Sequence, residues 1–392
     1  MAKLIDITGK ALSGEWGTDD ETGNGIPVLR TTNFTNEGIV NYESVVTRTI
    51  TKKSIDEKFL RPGDIILEKS GGSDKQPVGR VIYYDGPEKT YLFNNFTGLL
   101  RVKNTTQWWP RYVFYSLFAN YRKGGTREYE NKTTGLHNLK MDVYVSRYEV
   151  AEVSFERQKE TCEHLDLISR IIHLRKQELR KLDDLIKARF VEMFGDPVSN
   201  PKGWEKKTLS EEAEIKIGPF GSLLHKEDYI TGGHALVNPS HIVDGKIVPD
   251  DKLTISDEKY DELSAYHLRI GDVVMGRRGE MGRCAVVEQP GLLCGTGSLL
   301  IRTNGDLSAD YIQKIISFPS FKRTIEDMAV GQTMPNLNVP IVSVFQIIKP
   351  PKHVQDQYFA FVAQVDKSKS VIQKSLDETQ LLFDSLMQKY FG

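Results

Sequence analysis

Cysteine is scarce in this sequence, with Cys162, Cys284 and Cys294 the only three in 392 residues. Thiols so few and so scattered make neither a disulfide framework nor a cysteine zinc site, and they fit a reducing cytoplasm, where the chain is expected to reside. Long apolar runs are also missing. Nothing approaches the roughly 18 residues of a membrane span, so no membrane partner is expected, and the opening MAKLIDITGK has no signal-peptide core. Net charge is close to absent at −1. A nucleic-acid binder of this composition must therefore gather its positive charge on one face.

Catalytic signatures are missing as well. GTGS (Gly295 to Ser298) lacks the further glycine of a dinucleotide loop, and GRRGEMGR is not followed by the Gly-Lys-Ser/Thr of a Walker A loop. The eight histidines have no metal-ligand spacing with acids or cysteines. No NPPY or DPPY string of an adenine methyltransferase is present. PDDK (Pro249 to Lys252), followed by DEK (Asp257 to Lys259), resembles a fragment of the carboxylate and lysine set of metal-dependent nucleases, but its spacing is short and it reads as a solvated loop. No catalytic residue, cofactor or metal is expected in this chain.

What is present is a long helical pattern written twice. From Gln158 to Phe194, Leu165, Ile168, Ile172, Leu179, Leu182, Ile186 and Met193 recur three and four apart, with Arg175 and Arg189 filling two seam positions. Moving on by 197 positions gives Val362, Val365, Ile372, Leu376, Phe383 and Leu386 in the same phase, and each copy closes on Phe-Gly. A helix of this length rises about 55 Å, so its stripe needs a partner of equal length, and the second copy is that partner. Gly195 and Pro197 then stop the first helix.

The remainder is duplicated too. Residues 1–153 read as a strand-rich domain, with IPVL, GIVNYESVV, DIILEK, GRVIYY and YLFNNFTGLLRVK as strand runs and PRYVFYSLFANYRK as one amphipathic helix. KGGTREYENKTTGLHNL reads as a loop. GIPVLRTTNFTNEGIV aligns with GHALVNPSHIVDGKIV, and LRPGDII with LRIGDVV, both at an offset of 208. The offset shrinks to 203 at the VGR and MGR strings and to 198 at HNL and PNL, as small loop indels require. The chain thus divides into a first domain (1–153), a long helix (154–195), a linker (196–204), a second domain (205–352) and a second long helix (353–392). The lead-in GWEKKTLSEEAEIKIG of the second domain is only partly present before Gly14, which predicts a shortened opening in the first.

Binding residues fall at paired positions. Arg30, Thr31, Thr32 and Asn33 stand opposite Asn238, Ser240 and His241; Lys69 and Ser70 opposite Arg277 and Arg278; Arg80 opposite Arg283. Later, Lys132, Thr133 and Thr134 face Gln332 and Thr333. Arg and Lys suit phosphates and guanine edges, and Asn and Gln suit adenine. Arg80, Arg283 and the Asn-Leu pairs have a second reading, as residues that fix a turn.

The repeat order, the LRxGD turns, the GDPVSNPKGW linker and the LMQKYFG end together resemble the specificity subunit of type I restriction-modification systems, over essentially the whole chain. The resemblance implies an α+β fold: two homologous target-recognition domains and two long helices paired as an antiparallel coiled coil, in a pseudo-twofold repeat. It implies a non-catalytic DNA-binding subunit, each domain reading half of an asymmetric split target in duplex DNA. The implied partners are two modification subunits, which methylate adenine with S-adenosylmethionine, and restriction subunits that use ATP and Mg²⁺. A protein-protein scaffold with duplicated partner-binding domains, touching no nucleic acid, is the rival reading.

Overall fold

The computed structural model describes residues 1–392 apart from 53–54, 134–135, 281 and 330–335. It divides into two units, residues 1–178 with 372–392, and residues 179–371.

In the first unit a four-stranded sheet runs in the order Leu12–Ser13, Thr97–Leu100, Ile65–Glu68, Val81–Tyr83, with every pairing antiparallel. Ile65 to Glu68 and Thr97 to Leu100 are buried at every position, which explains why DIIL and GLL read as continuous apolar runs rather than alternating ones. One side is covered by the helix Pro110–Arg122, whose proline sits in the first turn where no backbone donor is lost. Ile66, Ile82 and Leu99 pack with Leu29, Phe34, Leu60 and Phe93 in a single apolar cluster. A second sheet orders Thr18–Asp19, Val46–Thr49, Ile26–Leu29, Leu92–Phe93, and only its last pairing is parallel.

The second unit repeats this plan strand for strand. Its sheets run Ala213–Ile217, Ser298–Thr303, Val273–Gly276, Cys284–Val286, and Tyr229–Ile230, Thr254–Ile255, His234–Val237, Leu293–Cys294, the last pairing again parallel. The register repeats as well: Leu99 opposes Ile66 in one unit, and Leu300 opposes Val274 in the other. The opening strands are both present in the first unit but shorter. The strands Ala2–Lys3 and Leu12–Ser13 stand where the second unit has Glu205–Thr208 and Ala213–Ile217.

The LRxGD turns need their glycine, since Gly63 and Gly271 adopt φ of 97° and 88°. The aspartate that follows is buried and accepts two bonds from an arginine on the neighbouring strand: Arg101 reaches Asp64 at 2.7 and 2.6 Å, and Arg302 reaches Asp272 at 2.9 and 2.7 Å. A glutamine at the base of each long helix also recurs, 197 positions apart. Gln158 accepts from Trp109 N (2.8 Å) and donates to Gln107 O (3.0 Å), while Gln355 accepts from Ser308 N (3.2 Å) and donates to Pro350 O (3.0 Å).

The long helices span Phe155–Phe194 and Lys352–Phe391, 40 residues each. Within the first unit His164 Nδ1 lies 3.3 Å from Tyr390 Oη, and Arg175 donates to Ser375 O and Thr379 Oγ1. Within the second, Lys369 pairs with Asp183 at 2.5 Å and the Arg189 guanidinium lies over the Phe361 ring at 5.7 Å. Partner numbers fall on one helix as they rise on the other, so the pairing is antiparallel in both units. Leu165, Ile168, Ile172, Val365, Leu376 and Phe383 are buried in the seam; Leu179, Leu182, Ile186, Val362, Ile372 and Leu386 are half-buried. A further face of these helices docks on the domains. Phe190, Phe194 and Tyr358 enter the second unit's core, and Tyr112 meets Phe391 at 5.1 Å in the first.

One expectation is corrected. The segment 123–139, read as a loop, contains two strands: Glu130–Thr133 pairs with Leu136–Leu139, which also pairs with Ser70–Gly72. Polar composition hid a hairpin that pairing with a neighbouring strand stabilises. The linker 196–204 is held by hydrogen bonds of its own. Asp196 accepts from Val198 N and Ser199 N, and Trp204 Nε1 donates to Phe194 O at 3.0 Å. All three cysteines are free and buried, and no helix among the described residues is long and apolar enough to cross a membrane.

Candidate nucleic-acid interface

In both units an inner strand of the second sheet, Ile26–Leu29 or His234–Val237, runs into a single 3-10 turn, Thr31–Asn33 or Pro239–His241. The third residue of the turn folds its side chain back on the chain. Asn33 accepts from Arg30 N at 2.9 Å and donates to Asn41 O at 2.9 Å, and the His241 ring Nδ1 lies 2.7 Å from Leu236 O and 3.2 Å from Asn238 N. Both side chains are buried. Asn33 and His241, named from sequence as contact residues, thus spend these hydrogen bonds on their own turn.

Arg80 and Arg283 are likewise taken up by the fold. Arg80 binds the buried Glu68 carboxylate at 3.2 and 2.8 Å and the carbonyls of Thr31 (3.1 Å) and Phe34 (3.3 Å). Burial alone would lower its pKa, but Glu68 outweighs it and the net shift is upward. Arg283 donates to Pro239 O at 3.2 Å and pairs with Glu280. Each arginine staples the 3-10 turn to the strand beside it, the turn-fixing alternative.

Beside that turn lies an edge built twice from the same backbone bonds. Lys69 N donates to Phe96 O (2.8 Å) and Leu139 N to Lys69 O (2.8 Å); Arg277 N donates to Gly297 O (3.0 Å) and Leu337 N to Arg277 O (2.9 Å). Lys69 and Arg277 thus occupy one position in the fold, as do Ser70 and Arg278, Phe96 and Gly297, and Asn138 and Asn336. The two asparagines grip this edge differently: Ser70 Oγ donates to Asn138 Oδ1 at 2.6 Å, whereas Arg277 Nε donates to Asn336 Oδ1 at 3.0 Å.

Of the other residues named from sequence, Lys69, Ser240 and Arg278 are exposed, and Arg30, Thr31, Asn238 and Arg277 half-buried. Arg30 spends one guanidinium nitrogen on Ser44 O, and Asn238 accepts from Gly297 N. Lys132 and Thr133 lie in the hairpin strand Glu130–Thr133. Thr134, Gln332 and Thr333 lie outside the described residues. Sequence reading missed Phe96, a 53% exposed aromatic beside Lys69, because its run reads as an uninterrupted strand.

The nuclease-like fragment does not form a site. Asp250 accepts from Lys252 N, Asp257 pairs with His234 at 3.0 Å, and no group of three potential metal ligands occurs among the described residues. What the edge offers is cations, hydroxyls and an aromatic ring beside one another: the chemistry for phosphate oxygens and base edges.

Residues 201–379 match the family model of the type I restriction modification DNA specificity domain. Two solved structures share the fold over the whole chain. One is the S subunit of the type I restriction-modification system of M. genitalium, with 15% identity, a TM-score of 0.56, and coverage of 100% of this chain and 95% of that one. The other, from a structural study of complex assembly and conformational transition of the type I R-M system, has 15% identity, a TM-score of 0.59, and coverage of 100% and 96%.

Proposed function

We infer, with residues 201–379 forming a type I restriction modification DNA specificity domain and residues of the first half building the same fold again, that this chain is the DNA sequence-specificity subunit of a type I restriction-modification complex. One observation carries the reading: the two edges share their backbone bonds and differ in the side chains that project from them. Lys69, Ser70 and Phe96 in one copy become Arg277, Arg278 and Gly297 in the other. A duplicated frame with unlike contact residues suits an asymmetric two-part target. A scaffold that gripped two copies of one partner would need like residues at those positions.

In this reading Arg30, Thr31, Lys69, Asn238, Ser240, Arg277 and Arg278 contact DNA, while Asn33, His241, Arg80 and Arg283 hold the turns from which they project. Lys132, Thr133, Thr134, Gln332 and Thr333 stay in the proposed contact set on their sequence positions alone. Each phosphate contact steepens the fall of log K with log salt by about 0.9, and each good base contact contributes about 1–3 kcal/mol of discrimination. The chemistry rests with partner subunits: two modification subunits using S-adenosylmethionine, and restriction subunits using ATP and Mg²⁺. The chain itself holds no cofactor and works with them in the cytoplasm.

The test is exchange of residues 1–153 for the corresponding domain of another specificity subunit, followed by mapping of methylated adenines. One half of the target sequence should change and the other persist. A change in both halves, or in neither, refutes modular reading.

A further inference from the structure

The two edges differ most in charge, and the difference is concentrated in the second unit. In the first, Lys69 follows Glu68, a buried carboxylate already paired with Arg80. The place of Glu68 is taken in the second unit by Gly276: each donates its backbone N–H to the following strand, Glu68 to Arg80 O and Gly276 to Arg283 O, both at 2.8 Å. A carboxylate has been deleted at the position where two consecutive arginines have been added. The nearest acid on this segment, Glu280, is committed to Arg283 and Lys322. Among the described residues, Arg277 and Arg278 have no carboxylate partner.

Arg277 is nevertheless held in place. Its Nε donates to Asn336 Oδ1 at 3.0 Å, and Asn336 forms a backbone bridge with Arg278. Fixing Nε leaves the two terminal nitrogens without an acceptor among the described residues. A guanidinium so arranged is a two-pronged donor matched to the O6 and N7 acceptors of guanine. Burial, and then the neighbouring Arg278 charge, lowers the Arg277 pKa from its usual value, so the pair lacks an anion that a bound duplex would supply.

We propose that Arg277 is a specificity-determining residue of the second unit and reads a guanine in its half of the target, with Asn336 as the positioning residue and Arg278 on the adjoining phosphate. This rests on the DNA-specificity reading and adds the base and the division of labour.

The test is selection from a random duplex library by the full chain in its assembled complex, with Arg277→Ala, Arg277→Lys, Asn336→Ala and Arg278→Ala compared over a salt series. Wild type should enrich a two-part sequence containing a guanine whose preference over other bases falls in Arg277→Ala by roughly 5- to 150-fold, with the other positions unchanged. Arg277→Lys should relax the same position while keeping its salt slope, because charge remains and the fork is lost. Asn336→Ala should weaken that position alone, which a general loss of folding does not do. Arg278→Ala should bind all sequences less tightly, its log–log salt slope reduced by about 0.9. An unchanged target in Arg277→Ala, or a uniform loss with a shallower slope, overturns the assignment and makes Arg277 a phosphate contact. If wild type selects no sequence, the DNA-specificity reading itself falls, and this inference with it.

Discussion

Asp64 and Asp272 are the residues on which each edge depends, since each buried carboxylate takes a bidentate arginine and also accepts the backbone N–H of the residue that opens its own turn, Arg61 or Arg269. Removing the charge strands a guanidinium that is only a quarter exposed on Arg101 and a fifth on Arg302. Breaking a buried pair costs roughly 3–5 kcal/mol, and partial exposure places Asp64→Asn at the lower end, about 3 kcal/mol. Urea unfolding should register it as a lower midpoint with an unchanged slope; a loss under 1 kcal/mol would mean that the pair is replaceable by solvent. The LRxGD string was legible as a turn because glycine at positive φ is a local demand. The role of its aspartate was not, because Arg101 and Arg302 lie some thirty or more positions downstream and reach it only through strand pairing. Arg80 and Asn33 were ambiguous for a related reason: an arginine or asparagine after a strand looks the same in sequence whether it faces outward or staples its own turn.

At the scale of elements, the long helices were the most legible part, because a repeat of 3.5 residues written twice in phase admits one explanation. Their direction of pairing came from the resemblance, and the contacts of Arg175, Asp183 and Arg189 now give it physical content. The paired strands Glu130–Thr133 and Leu136–Leu139 were invisible by contrast, since Glu, Asn and Lys disfavour strands and the pair is held through Leu136–Leu139, which bonds to Ser70–Gly72 on its other side. If the helices set the distance between half-sites, adding seven residues to each near positions 178 and 372 adds about 10 Å, or roughly three base pairs of spacer, while keeping the seam in register. The selected or methylated target should show that longer gap. A gap of unchanged length would mean that the helices are not the ruler.

For the molecule as a whole, the first unit is not a continuous stretch of chain, whereas the second, residues 179–371, is. The first is completed by residues 372–392, which carry Phe383 and Met387 into burial, Asp384 to Arg122 at 2.8 Å, and Phe391 O to Lys123 at 2.9 Å. Deleting residues 372–392 should therefore loosen the distant first domain. Hydrogen exchange should quicken in 110–122 and 155–178, and leave 205–352 protected. Faster exchange confined to the second unit would contradict the partition. The duplication was readable in sequence from its sliding offsets; this crossing of the chain from one unit to the other was not, because it follows from which helix ends pack together.

That crossing has a consequence on the ribosome. At about 5–20 residues per second, the segment that finishes the first domain emerges some ten to forty seconds after residue 178. Through that interval the nascent amino-terminal half carries an uncovered apolar stripe, so its safe passage depends on a chaperone or on the speed of translation more than on its own strands.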